Sequence, residues 1–289
     1  MGSVCLNPHD PHALWLYCPS LGAAVLFAVL FGLCTVAHIT QAIMFRKKFC
    51  WVIIMACLWE MSGFVLRILS VMNQTNQGVF IPQQLLIILA PLWVNAFDYM
   101  ILGRMIHFFL PDQMVLGIKA RRLTLLFVLL DVTAFIVQGG GGSMLSSNND
   151  PKTIELGLHI YMGGIGLQEL FIIFFSFLAI SFHKKVKSLN TGRRTKWKPL
   201  LYTLYASLVL ITIRVIFRLI EYSQGTFSTV TTHEAFFYCL DSVPMFISIM
   251  LFNFSHPGKV LVGPDSEFPK PEKKNKQKKK QTLLELSMV

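Results

Sequence analysis

Charge is what this sequence has least of. Only 14% of its 289 residues are Asp, Glu, Lys or Arg, while 54% are hydrophobic. A soluble domain carries about 25% charged residues, so the shortage excludes that class and points to an integral membrane protein. Catalytic signatures are missing too. There is no G-x-x-x-x-G-K followed by Ser or Thr, hence no phosphate loop through which the chain could use ATP. No H-E-x-x-H occurs, and the last apolar stretch has no histidine before His256, which argues against an intramembrane zinc hydrolase. That stretch also lacks lysine, which removes a retinal Schiff base, and no G-x-S-x-G elbow is present. No enzyme, metal or cofactor is therefore expected. The third apolar stretch reads Leu102-Gly103-Arg104-Met105 rather than acid-Arg-aromatic, and no Asn-Pro-x-x-Tyr closes the last one. Both absences argue against a G-protein-coupled receptor.

What the sequence does contain is seven apolar stretches, each of about the 20 residues that span a bilayer. They run Leu21–Phe45, Phe49–Met72, Gln84–Phe109, Leu123–Gln138, Leu158–Phe182, Leu200–Tyr222 and Glu234–Phe254. An all-α, seven-helix membrane domain over residues 21–258 follows, with an external segment 1–20 and a basic cytoplasmic tail 259–289. The net charge of +11 resolves into short loops and the tail, not into a nucleic-acid surface. Arg46, Lys47 and Lys48 lie in loop one; Lys119, Arg121 and Arg122 in loop three; Lys184 through Lys198 in loop five. The N-terminal segment and loops two, four and six hold only Lys152. This alternation predicts an external N-terminus and a cytoplasmic C-terminus. No basic n-region precedes the first span, so no cleavable signal is expected.

Of six cysteines, only Cys5 and Cys18 fall on the oxidising side, where a short disulfide and a free pair are both open. Asn73-Gln74-Thr75 is a glycosylation sequon that abuts the second span closely. The tail from Lys273 to Lys280 suits either solvent or anionic inner-leaflet lipid.

Inside the spans stand Glu60, Arg67, Asp98, Arg104, Asp131, Glu169, Arg214, Arg218, Glu221, Glu234 and Asp241. A charge at the bilayer centre costs roughly 2.5–3.5 kcal/mol, so each needs a partner or water. Glu60 and Arg67, Asp131 and Gln138, Arg214 and Glu221, and Glu234 and Asp241 are all two helical turns apart. Several spans thus carry a polar stripe toward a shared interior. At about 1.5 Å rise per residue, Arg214 and Asp241 fall at one depth, and Arg218 falls level with Glu234 and Tyr238. A ladder of arginine–carboxylate pairs between neighbouring antiparallel helices is the expectation. Glu60 and Asp98 share a level near the midplane, where two facing carboxyls would hold one proton between them. Gln138 and Gln168 sit higher and Arg104 low, which suggests a cavity open toward the N-terminal side. His38 and His107 read as helix–helix contacts, and Pro91 as a kink. The Gly163-Gly164-x-Gly166 run reads as close helix packing. Gly139 to Gly142 fits a flexible loop better than a tight backbone approach.

These residues sit in phrases that resemble the fungal RTA-like family of lipid-translocating exporters. The phrases are Ala90-Pro91 with Tyr99 and Leu102-Gly103-Arg104, then Asp131 with Gln138-Gly139-Gly140-Gly141, then Gly166-x-Gln168. They continue with Arg214, Phe217-Arg218-x-x-Glu221 and Gly225, and with Glu234-x-x-x-Tyr238-x-x-Asp241-x-x-Pro244-Met245 before His256-Pro257-Gly258. The resemblance implies a seven-span protein, usually of the plasma membrane, that moves or clears amphiphilic lipids such as sphingoid bases and sterol-like toxins. It does not extend to Asn95-Ala96-Phe97-Asp98, where small residues are expected.

With seven acids against four arginines, the interior favours a cationic head group, and Asp241, Glu234 and Glu60 are the candidate acceptors. Arg67, Arg214 and Arg218 would hold these acids, or a phosphate on an anionic cargo. Membrane lipids and amphiphilic small molecules are the expected partners. The competing reading is a seven-span lipid sensor that signals through loop five and the tail.

Overall fold

The computed structural model describes Cys5, residues 14–144, 150–189, 197–223 and 229–263, and Phe268. The tail lysines Lys273 to Lys280, Gly225 and residues 190–196 of loop five lie outside these residues.

Among the described residues, seven helices are long and apolar enough to cross a membrane: Leu21–Phe45, Lys48–Met72, Gln77–Phe109, Ala120–Met144, Pro151–Ser188, Lys198–Ser223 and Glu234–Val260. Their number and order match the apolar stretches. Three ends do not. The third helix starts at Gln77 rather than Gln84, because the Asn76 side chain accepts the Gly78 N–H at 3.0 Å and caps it there. The fifth starts at Pro151, directly after the Asp150 cap, where a missing N–H costs nothing. The fourth continues through Gly139–Gly142 to Met144, so that run is neither a loop nor a turn. A Cβ at Gly141 would lie 2.7 Å from the Gly157 carbonyl, so its lack of a side chain lets the fourth and fifth helices touch. Of the Gly163-Gly164-x-Gly166 run, only Gly164 packs this way, against Gln138; the other two face open space.

The helices close into a ring in chain order, the seventh returning to the first, with the third also touching the sixth across the centre. Burial agrees. In their most apolar windows the third and sixth helices are 56% buried, whereas the fourth and fifth are 28% and 33% buried and take the lipid-facing positions. A two-stranded hairpin, Met114–Val115 with Ile118–Lys119, joins the third helix to the fourth. Leu116 and Gly117 both have positive φ, the pair of conformations that a type I′ turn needs. The clusters Arg46–Lys48, Lys119–Arg122 and Lys184–Lys187 share one end of the bundle, and the N-terminal segment lies at the other.

The seventh span is not uniform. Regular helix over Glu234–Phe237 widens into a π turn at Tyr238–Ser242 before helix Val243–Phe254. Pro244 explains the position: without an N–H it cannot close the regular bond to the Leu240 carbonyl. Asp241 lies inside this widened turn. His38 donates from Nε2 to the Ile249 carbonyl at 3.2 Å, the helix–helix contact expected of it. His107 instead packs against Phe268, with ring centroids 4.9 Å apart.

Candidate functional site

Arg67 organises the N-terminal end of the bundle. It is 1% exposed on the second span. Its Nη2 donates to Glu234 at 3.0 Å and to the Tyr17 hydroxyl at 2.8 Å, while Nε donates to the Tyr238 hydroxyl at 3.1 Å. Its guanidinium carbon lies 4.6 Å from the Trp15 ring centroid and 4.3 Å from that of Phe237. A desolvated stack of this kind is worth about 2 kcal/mol per ring. Glu234 closes the arrangement by accepting the Ser20 N–H at 2.7 Å. The segment before the first helix is therefore fixed onto the bundle by its side chains and backbone. A Cys5–Cys18 disulfide, with Cα atoms 5.6 Å apart, ties it further. Burial raises the Tyr17 phenol above its ordinary range despite the adjacent Arg67, so it stays protonated.

One turn deeper, Asp241 Oδ1 accepts from Arg214 Nε at 2.6 Å and from Arg218 Nε at 2.9 Å. Arg218 also donates from Nη1 to Glu221 at 2.9 Å. The Arg214–Asp241 pair is the one expected from depth. Pairing Arg218 with Glu234 and Tyr238 is corrected: Arg218 goes to Asp241 and Glu221, and Arg67 takes Glu234 and Tyr238. Depth along a helix fixes level but not direction around the axis, and the π turn rotates Asp241 toward the sixth span. The two clusters meet at Phe237, whose ring lies 5.7 Å from the Arg218 guanidinium carbon. With two cations and two acids, the inner cluster is balanced, and removing one partner of such a buried pair costs about 3–5 kcal/mol.

The fourth and fifth spans add Gln138 Nε2, which donates to Gln168 Oε1 at 3.1 Å. Both glutamines line a pocket of about 40 Å³ together with Arg214, Arg218 and Tyr161. Tyr99 and Asn95 both donate to Asp131 Oδ2 at 2.9 Å, a knot that joins the third and fourth spans and leaves Asp131 Oδ1 and Asn95 Oδ1 without a partner among the described residues. Ser207 donates to Asp98 Oδ2 at 2.7 Å and in turn accepts from Ser248 at 2.7 Å. No hydrogen bond joins Asp98 to Glu60 among the described residues, so the expected proton-sharing carboxyl pair is corrected. The charges that act on Glu60 belong to Arg214, Asp241 and Arg218. Glu60 is 1% exposed, and neither of its oxygens has a hydrogen-bond partner among the described residues. Arg104 stands apart at the basic end, with its guanidinium 4.0 Å over the Phe49 ring. Asn73 caps the second span and is exposed.

At the N-terminal end lies a cavity of about 420 Å³. Arg67, Glu221, Tyr17 and Gln84 give it polar points, and Trp15, Phe80, Phe237 and Leu158 give it apolar walls. This size lies in the range of about 300–1,000 Å³ typical of small-molecule sites. Trp15, Tyr17, Phe80 and Phe237 were not candidates from the sequence. Trp15 and Tyr17 precede the first span, where no periodicity places them. Phe80 falls in the turn added by the early start of the third helix. Only Phe237, beside Tyr238 on a polar stripe, offered a signal.

A family model described as RTA1 like protein matches residues 53–263. A relative named probable lipid transporter atnI, from Emericella nidulans, is 46% identical over 90% of this chain and 72% of its own length. Protoporphyrin uptake protein 1 of Saccharomyces cerevisiae is 30% identical over 83% of this chain and 90% of its own. The sphingoid long-chain base transporter RSB1 of the same species is 22% identical over 87% and 75%. No solved structure matches. The match to the family model and the likeness to atnI place this chain in the RTA1-like family.

Proposed function

We propose that this chain translocates amphiphilic lipids or lipid-like compounds across a membrane, as a carrier and not an enzyme. One observation carries the reading. The cavity of about 420 Å³ at the N-terminal end sits on a ladder of buried ion pairs that continues from Arg67 and Glu234 to Asp241. A structural ion-pair network needs no such void beside it. Names borne by relatives, a probable lipid transporter and a sphingoid long-chain base transporter, support the same class of cargo.

The cavity favours a single-chain amphiphile that carries an amine. Its volume takes a head group and part of one chain, not a two-chain lipid. The aromatic faces of Trp15, Phe80, Tyr222 and Phe237, with the Glu221 carboxylate among them, suit an ammonium group. Glu234 and Asp241 are held by arginines, so a cationic head group would reach them by displacing Arg67 or Arg218. We place the chain in the plasma membrane with its N-terminus outside, in keeping with the loop charges. The lysines Lys273 to Lys280 would then adhere to anionic inner-leaflet lipid.

The test is outward movement of labelled sphingoid base in cells with and without the chain. Faster release and greater tolerance of the toxic lipid are expected with it. Equal rates and equal tolerance would remove the proposal.

A further inference from the structure

Glu60 has no place in the ion-pair ladder. Its carboxyl is buried at mid-depth of the second span, and both oxygens lack a partner. Every other acid on the ladder is held by an arginine. Asp98 and Asp131, the other deeply buried acids, are held by Ser207 and by Asn95 and Tyr99. A carboxylate left bare in a low-dielectric interior is unfavourable, whereas the neutral acid tolerates the position.

The surroundings supply what a change of charge would need. From the sixth span, Arg214 and Arg218 act on Glu60, and from the seventh, Asp241 does. Among the described residues no ionised group on the first or third span acts on it, and Cys57 is the titratable neighbour on its own helix. Arg214 and Arg218 share a single oxygen of Asp241, whose Oδ2 has no partner, and Arg218 Nη2 has none either. One carboxylate thus serves two guanidiniums while a second carboxyl nearby serves none. Arg214 spans this gap. Besides Asp241, it donates to the Ile87 carbonyl at 3.1 Å. Ile87 in turn abuts Gly63, three residues along from Glu60 on the same face of the second span: a Cβ at Gly63 would lie 2.7 Å from the Ile87 side chain. Arg214 is thus held, through Ile87, beside the stretch of the second span that carries Glu60.

We propose that Glu60 takes up and releases a proton, and that its carboxylate form draws Arg214 away from Asp241, so that proton release loosens the ladder beneath the cavity. In the neutral state, Glu60 carries the proton and Arg214 stays with Asp241. On release, the proton passes to water, the Glu60 carboxylate gains Arg214, and Asp241 keeps Arg218. Formal charge on the two arginines and on Asp241 is unchanged. The water would come from the pocket of about 40 Å³ that Arg214 lines, which has room for about two or three molecules and which Glu60 does not line while neutral. The proton site stands by itself; its coupling to cargo rests on the translocation reading given above.

Two measurements on the purified full chain in lipid vesicles separate these levels. Infrared difference spectra between mildly acid and mildly alkaline buffer should show a carboxylic-acid carbonyl band in the wild type. Glu60→Gln should lose it, Glu60→Asp should keep it at a shifted frequency, and Asp98→Asn should leave it unmoved. A band that survives Glu60→Gln, or vanishes with Asp98→Asn instead, overturns the proton site. The second readout is the rate of fluorescent sphingosine movement with a pH gradient divided by the rate without one. A several-fold ratio in the wild type that falls to about one in Glu60→Gln supports coupling, and equal ratios overturn it. If the wild type moves no sphingosine while the band still depends on Glu60, the translocation reading fails and the proton site remains.

Discussion

Pro91 and Arg214 are linked through an atom that belongs to neither. Pro91 has no N–H, so the carbonyl four residues earlier, that of Ile87, is released from the third helix. Arg214 on the sixth span donates to that carbonyl from Nη2 at 3.1 Å while its Nε holds Asp241 at 2.6 Å. A proline that breaks one helix thus positions the arginine of another. Freed backbone groups inside membrane domains are commonly re-satisfied by neighbouring helices, and here the neighbour brings a charge.

Arg214→Leu should destabilise the bundle by about 3–5 kcal/mol, since it leaves both Asp241 and the Ile87 carbonyl underserved. Pro91→Ala in that background restores a helical N–H to Ile87 and should recover about 1 kcal/mol. In the wild-type background the same Pro91→Ala change should be close to neutral. A double-mutant cycle by thermal denaturation in detergent reads the difference, and strict additivity of the two changes would refute the shared carbonyl.

Arg67→Lys keeps the charge but not the geometry. An ammonium cannot lie flat between Trp15 and Phe237 while donating in the directions of Tyr17, Tyr238 and Glu234. The expected result is faster hydrogen exchange across residues 14–20 with the transmembrane helices unaffected. Unchanged protection of that segment would mean that Arg67 does not hold it.

The seven spans were legible because each is a long apolar run. The polar stripes were legible because residues seven apart share a face, and Glu60, Arg67, Asp131, Gln138, Arg214 and Asp241 are all buried. Partner choice was only half legible. Depth arithmetic found Arg214 with Asp241 but misplaced Arg218, since it says nothing of azimuth and cannot anticipate a π turn at Tyr238–Ser242. The fourth helix was read short because four consecutive glycines resemble a loop. Gly141 serves instead as a contact surface for the fifth helix, a tertiary reason with no local signature. Trp15 and Tyr17 were invisible for the same cause: they are placed by docking onto Arg67 and not by any pattern of their own.

The glycine run on the fifth span should divide by position. Gly164→Ala puts a methyl 2.6 Å from the Gln138 side chain and 3.1 Å from the Ala134 carbonyl, and should cost about 1–3 kcal/mol as overpacking does. Gly163→Ala and Gly166→Ala meet no atom within 4 Å and should be neutral or stabilising by up to about 1 kcal/mol, through helix propensity alone. Melting temperatures of the three variants in one detergent check this, and similar losses at all three positions would count against the packing assigned to Gly164.

Trp15 covers Arg67 from the N-terminal side and meets Phe80 edge-on at 5.1 Å, so it forms the part of the cavity wall that the transmembrane helices do not supply. If an amine-bearing amphiphile binds there, Trp15→Ala removes one aromatic face worth about 1 kcal/mol, and outward movement of labelled sphingoid base at limiting concentration should fall about fivefold. Trp15→Phe restores a ring and should recover most of that rate, which separates loss of the π face from a general loosening of the segment. The Tyr17 contact with Arg67 and the Ser20 contact with Glu234 remain in both variants, so the segment should stay docked. Movement by Trp15→Ala at the wild-type rate would show that cargo enters the bundle elsewhere.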